Sequence, residues 1–376
     1  MQGVGAVFRK LLAGQHLKGT DGMTGSHGCT NIRSGPHRVY SRPWYTPFVI
    51  NTALRKRLEG HDLFAREIRS YFNARGYIEV DTPTLAPFLI PEPAIEIFQT
   101  RYYGPGETSR DLWLVPSPEL WMKRLLGSGS GNIFQISRSF RNGDFESPLH
   151  NPEFRLLEWY TVGSDYRQSI EVLEGLFRRL LVTGLEDSAL RLSPPFKRLS
   201  MQEVFRRQAG IDLSECQDVT SLARAAQGAG VKVPPESTWE EAFHLVFLTI
   251  VEPALPRGRP FVLMDYPALV PTTARRRAGT PWAERWELFI DGVEIANCYT
   301  EETDPETLRR LLKEEQTRKK KCRIQHAIDI GLADAFPRGF PPVSGTALGL
   351  DRLEMVFAGE KSLRGVINFS FSDMVR

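Results

Sequence analysis

The chain has 376 residues, 41% hydrophobic and 25% charged, the proportions of an ordinary soluble globular protein rather than a disordered, collagen-like or coiled-coil chain. Lys and Arg number 48 against 45 Asp and Glu, a net charge of +3, which lacks the basic excess of a dedicated nucleic-acid binder. No run of eighteen apolar residues occurs, excluding a transmembrane helix and a membrane role; Cys29, Cys216, Cys298 and Cys322, with no C-x-x-C pair or zinc spacing, read as free thiols of a reducing, cytoplasmic compartment.

Residues 1–46 stand apart, rich in Gly, Ser, Thr and His, with six Lys/Arg and the single acid Asp21. Arg9 and Lys10 interrupt the apolar stretch Val4–Gly14, so it falls short of the roughly 7–15 residue core of a secretory signal. The segment reads as a disordered or over-extended tail; a targeting peptide or a weak RNA contact are the other readings. Residues 47–376 read as one folded catalytic unit. Thr52–Arg75 places Leu54, Leu58, Phe64, Ile68 and Phe72 near helical spacing, and Gly76 suits a left-handed cap. Tyr77–Val80 alternates as a strand, and Trp113–Val115 is a short one. Ser117-Pro118-Glu119 predicts a helix start, with a hydroxyl cap, a proline in the first turn and an acid at the positive end. Strands follow at Ile133–Ser137 and Glu153–Val162, then a helix from Asp165 to Leu181. Residues 196–252 are mainly helical. Phe261–Asp265, Glu284–Ile290 and Glu294–Thr300 are strands. Asp304-Pro305-Glu306 starts a helix bearing the basic run Arg318–Lys321, and Gly345–Gly359 gives a turn, a strand and a helix. Hairpin-linked strands with helices outside predict an α+β fold on an antiparallel sheet.

Three segments carry chemistry. In His150–Tyr160, strand alternation puts Phe154, Leu156, Glu158 and Tyr160 on one face. A carboxylate among apolar and aromatic groups needs a partner if buried. A cationic ligand would supply one; a half-exposed edge strand would leave Glu158 solvated. Glu287, Glu294 and Glu301 recur at seven-residue steps, with Asn297 among them; they could hold Mg²⁺ beside a triphosphate, bind an ammonium group or be ordinary surface acids. Gly345–Arg352 allows close backbone approach and places Arg352 to stack on a base or pair with phosphate. It is neither a Walker A loop nor a dinucleotide fingerprint. The basic run could touch RNA, but Glu314 and Glu315 a turn earlier favour a solvated helix face.

In this order, the segments resemble the catalytic domain of class II aminoacyl-tRNA synthetases of the lysyl type. The first motif resembles Arg75–Pro83, the second Phe140-Arg141-Asn142 through Phe154, and the third Gly349–Arg352. The lysine-pocket segments resemble Ser117–Leu120, His150–Tyr160 and Glu294–Asn297. Lysyl-tRNA synthetases carry an anticodon-binding barrel ahead of this core, for which the first 46 residues show no strand pattern. The sequence is more similar to the elongation factor P lysyltransferases, a truncated paralogous family. Ala347 stands where lysyl-tRNA synthetases usually carry a pocket glycine, and Arg101–Gly106 and Ser117 also resemble this family.

The resemblance implies activation of lysine, preferably (R)-β-lysine, with ATP and Mg²⁺, and transfer to a lysine of elongation factor P. A minimal tRNA-charging enzyme and a catalytically weak regulatory paralogue are the alternatives. It implies catalytic roles for Arg141 and Arg352, the former on the α-phosphate. ATP would be held by Arg141, Asn142, His150, Asn151, Phe154, Glu287, Glu294, Ile295, Gly349 and Arg352, with adenine between Phe154 and Arg352. Glu287 and Glu294 would bind the metal. Glu158, Tyr160 and Glu301 would hold the side-chain ammonium, Ser117 and Glu119 the other amino group, and Asn297 and Ala347 would complete the pocket. A homodimer is implied, with the Thr52–Arg75 helix as interface or packed on its own core. Two departures from the family pattern stand out. Gly143 replaces a glutamate, which Asp144 or Glu146 would supply, and Cys298 replaces a glycine, where its side chain is expected to intrude on the site.

Overall fold

The computed structural model describes residues 51–106, 108–143, 147–182, 191–320 and 323–375. The expected tail, Cys29, Asp144, Glu146, Lys321 and Cys322 lie outside them.

Helix α1 (Thr52–Asn73) begins where the Asn51 side chain accepts the Leu54 N–H. Its second half buries Phe64, Ile68, Tyr71 and Phe72, while Leu54 and Leu58 at its start stay exposed. Gly76 takes φ +76° and turns the chain into β1 (Ile78–Glu79). Strands β2 (Leu85–Ala86), β3 (Gln99–Tyr103) and β4 (Ser109–Leu114) form a small sheet in the order β2-β4-β3. Helix α2 (Glu119–Gly127) follows, with Pro118 rather than Ser117 at the N-cap position and no side-chain cap. The Ser117 hydroxyl is therefore not the cap that the sequence suggested.

Strands β5 (Ile133–Phe140), β6 (Glu153–Val162), β7 (Lys197–Ser200), β8 (Phe261–Pro267), β9 (Trp282–Ile290), β10 (Val293–Thr300) and β11 (Val343–Gly349) join β1 in the main sheet. Its order is β1-β5-β6-β11-β10-β9-β8-β7. All inner pairings are antiparallel; β1–β5 and β7–β8 at the two edges are parallel. Gly345 and Gly349 lie within β11, not in the turn expected there.

One sheet face carries Phe134, Leu157, Trp159, Trp286, Leu288 and Leu348 against α1, α3 (Ser169–Leu181) and α8 (Leu350–Phe357). Phe72 stacks on Phe134 at 4.9 Å, and each ring so buried contributes about 1.5–3 kcal/mol. Trp286 Nε1 donates to the Tyr166 carbonyl and to Ser169 Oγ, so the indole N–H buried at the sheet centre is satisfied. A second core gathers α4 (Met201–Ala209), α5 (Val219–Gly228) and α6 (Trp239–Val246) on β8. Each of these three helices opens with a capping box, at Ser200/Glu203, Asp218/Ser221 and Thr238/Glu241. The other face of the main sheet is left open between α2, α6 and α7 (Pro305–Lys319), and there the cavity lies. A last short helix, α9 (Phe371–Met374), closes the described chain.

The basic run at the end of α7 departs from the expected solvated face. Arg318 pairs with Glu240 on α6 and with Glu315. Lys319 is buried and donates to the carbonyls of Glu92 and Ile95. Arg318 and Lys319 thus tie segments of the same chain together.

Candidate active site

Strand register builds the floor of the cavity. Gln135, Glu158, Ala347, Asn297 and Glu287 stand directly opposite one another on β5, β6, β11, β10 and β9. Two residues along, Ile133, Tyr160, Gly345, Tyr299 and Arg285 form the neighbouring row. Period-two alternation makes both rows face the same side. The cavity encloses about 250 Å³; Ser117, just ahead of α2, and Glu119, its first residue, add to it, as does Glu92 from the segment before β3.

At one end the cavity is lined by buried carboxylates. Glu158 is 3% exposed; Tyr160 Oη donates to its Oε1 at 2.8 Å, and among the described residues no hydrogen bond reaches its Oε2. Burial, reinforced by the charge of Glu119, pushes its pKa up to about 8. Burial likewise lifts Glu301 to about 8 against the pull of Lys123, and lifts Glu92 to about 7 with help from Glu119. Glu119 accepts from Lys123 Nζ at 2.5 Å and from Tyr299 Oη at 3.1 Å. A Cβ added at Gly345 would stand 2.4 Å from Glu301 Oε1 and 2.5 Å from the Tyr160 ring, so only glycine leaves these side chains their positions.

At the other end Arg141, just past β5, lies with its guanidinium 5.2 Å from the centre of the Phe154 ring. Its buried Nε has no hydrogen-bond partner among the described residues. Arg141 borders both the main cavity and a narrow slot lined by His150, Asn151, Phe154, Gly349 and Arg352. Arg352 is held by the carbonyls of Leu149 and Glu294 and by His150 Nε2. Glu294 and Glu287 also line the main cavity; Arg285 reaches Glu287 Oε1 at 2.7 Å.

Most of the residues singled out from sequence thus converge, with three exceptions. Asn142 turns its amide to the Ile97 carbonyl and caps the Gly143 N–H, and it does not line the cavity. The Ile295 side chain is buried in the core across the sheet. Cys298 corrects an expectation: it pairs with Trp286 and Thr346 on the opposite face, buried in the main core. Asn297 and Tyr299 point into the cavity, so alternation turns Cys298 away from it. Its thiol meets Ser169 Oγ at 3.0 Å, and burial pushes its pKa up to about 12. Gly143 has φ +74°, a turn conformation that glycine adopts without strain.

Sequence reasoning missed Lys123, Tyr299, Glu92 and Arg285, while Gly345 was singled out for close backbone approach but placed in a turn. Two were within reach. Lys123 lies one helical turn after Glu119, and Tyr299 falls between Asn297 and Glu301 in the alternation of β10.

The profile of the tRNA synthetases class II (D, K and N) matches residues 44–373. The chain belongs to the class II tRNA synthetases. Members of this family are ligases that use ATP with a divalent metal ion. Among similar proteins, the elongation factor P–(R)-β-lysine ligase of Yersinia enterocolitica is 37% identical over 81% of this chain and 91% of its own. The elongation factor P–(R)-β-lysine ligase homologue of Aquifex aeolicus is 34% identical over 81% of this chain and 97% of its own. The lysine–tRNA ligase of Pelotomaculum thermopropionicum is 32% identical over 87% of this chain, which spans 66% of that ligase. Neighbouring antiparallel strands each supply one residue to each of the two rows that face the cavity.

Proposed function

We propose that the protein activates lysine, with (R)-β-lysine preferred, as an aminoacyl-adenylate and transfers it to a lysine side chain of elongation factor P in the cytoplasm. The observation carrying this reading is Glu158: a buried carboxylate, hydrogen-bonded on one oxygen only among the described residues, inside a cavity shared with Glu119 and Glu301. Such a group calls for a cationic partner, and a lysine ammonium fits. The names and coverage of the elongation factor P ligases support the acceptor. Ala347, next to Glu158 and Asn297 in the row, narrows the wall where the lysyl-tRNA synthetase pattern has glycine.

In this reading Glu158, Tyr160 and Glu301 hold the side-chain ammonium, and Ser117 and Glu119 the other amino group. Asn297 and Ala347 shape the wall. The slot of Phe154, Gly349, Arg352, His150 and Asn151 takes adenine, and the Ile295 backbone, though not its side chain, borders Gly349. Arg141, between slot and cavity, meets the α-phosphate. A carboxylate oxygen of the amino acid attacks the α-phosphorus, a new P–O bond forms, and pyrophosphate leaves. Arg141 stabilises the charge that develops. The acceptor amine then attacks the acyl carbon and AMP departs. No side-chain nucleophile is needed, because positioning carries the rate.

Among the described residues no three His, Cys, Asp or Glu side chains form a metal site of their own. Glu287 and Glu294 fit the other kind of site, in which one or two carboxylates hold Mg²⁺ jointly with phosphate oxygens. The ion supplies neutralisation of phosphate charge when bound. A homodimer through the exposed Leu54 and Leu58 end of α1 completes the proposal.

The test is transfer of labelled lysine and β-lysine to purified elongation factor P and, in parallel, to bulk tRNA. Label on elongation factor P is expected. Label on tRNA alone would establish the charging reading instead.

A further inference from the structure

The buried ammonium of Lys123 has no part in the function proposed above. It is 2% exposed, stands 2.5 Å from Glu119 and 2.7 Å from Glu301, and lies 5.5 Å from the Tyr299 ring centre. Burial opposes its charge, yet the two carboxylates hold its pKa well above the usual lysine value. A structural ion pair needs one acid; this one engages two, and both line the cavity.

We propose that Lys123 is a specificity-determining positioning residue that fixes Glu119 and Glu301 and sets the pocket charge so that it selects substrates with two ammonium groups. The inference rests on the lysine-ligase reading. Glu119, Glu158 and Glu301 carry three negative charges when ionised, and Lys123 returns one. With all three acids ionised, the state that a bound cation favours, the net charge of minus two matches a substrate with two ammonium groups. Glu92, across the cavity, is offset by Arg141 and Lys319. Arg285, in the same cavity, is paired to Glu287, so those two charges offset each other. Tyr160 and Tyr299 face the same space as neutral donors, their phenol pKa values driven well above 10 by burial. Three carboxylates without Lys123 would repel one another in a poorly solvated space and take up protons, so fewer ionised acceptors would remain for a dication at neutral pH.

The experiment compares the wild type with K123M, K123Q and K123R, each checked for folding by thermal unfolding. Binding of 1,5-diaminopentane and of pentylamine is measured by calorimetry between pH 6.5 and 9. The wild type is expected to prefer the diamine by about tenfold or more, the strength of one further charge-assisted contact. K123M and K123Q are expected to lose that preference at pH 7 and to recover part of it only at higher pH, because their carboxylates ionise later. K123R, which keeps the charge, is expected to keep it. K123Q retains length and a donor, so it carries the test if K123M does not fold. An equal diamine preference and an unshifted pH profile in a folded neutral variant would overturn the inference. The ligase reading fails separately, if the wild type shows no lysine-dependent pyrophosphate exchange.

Discussion

Glu158 occupies the interior of a ten-residue strand, where a carboxylate is normally excluded. Its burial has consequences that can be measured. E158Q removes the charge but keeps the shape, and is expected to raise the lysine KM about 10- to 100-fold, the scale of a hydrogen bond to a charged group, with the ATP KM unchanged; steady-state exchange kinetics check this. The pH dependence follows from sign. Glu158 and Glu301 have pKa values raised from 4.5 to about 8, so in the free pocket these two carboxyls lose their protons as pH rises through about 8. A dication binds the ionised form, and the lysine KM is therefore expected to fall as pH rises from 6.5 to 8.5. The folded chain holds those protons longer than the unfolded one, so stability from these groups declines from pH 4.5 to about 8. Thermal scans should show substrate raising Tm more at pH 8.5 than at 6.5. G345A tests the close approach: overpacking costs about 1–3 kcal/mol, expected as weaker lysine binding. A lysine KM unchanged in G345A would show that Glu301 and Tyr160 can move. At this scale the sequence was legible where alternation applies, as for Phe154, Glu158 and Tyr160. Cys298 was misjudged because a motif comparison gives position but not the face of the strand. Lys123 was overlooked because an i,i+4 pair normally lies on a solvated surface.

Elements transmit these positions. β6 was legible in full, since one face alternates into the apolar core and the other into the cavity. β3 was not, because all five of its residues are exposed and leave no burial pattern. The end of α7 misled for a related reason. A basic run normally means solvent, and only tertiary contact reveals Lys319 as the clamp on the segment carrying Glu92. K319M leaves two carbonyls short of a donor, at a cost of about 1–3 kcal/mol. Faster amide exchange over residues 91–97, with the rest of the sheet unchanged, is the expected outcome. α1 divides into two halves. Phe64, Ile68 and Phe72 pack inward, whereas Leu54 and Leu58 stay exposed. If the second half anchors the fold and the first half the dimer, L58E should yield a folded monomer by light scattering; an unchanged mass would remove α1 from the interface.

At the scale of the whole molecule, one face of the mainly antiparallel sheet carries an acidic cavity end, an arginine and a narrow slot beside it. The order of motifs along the chain made this arrangement legible before any coordinates, but the charge balance inside the cavity depends on groups brought together from α2, β6 and β10. That balance is the central claim, and ATP–pyrophosphate exchange tests it most directly. The wild-type protein should exchange pyrophosphate into ATP when lysine or (R)-β-lysine is present, and not with norleucine, which matches the lysine chain but lacks its second ammonium. Exchange supported equally by norleucine, or by none of the three, would contradict the account.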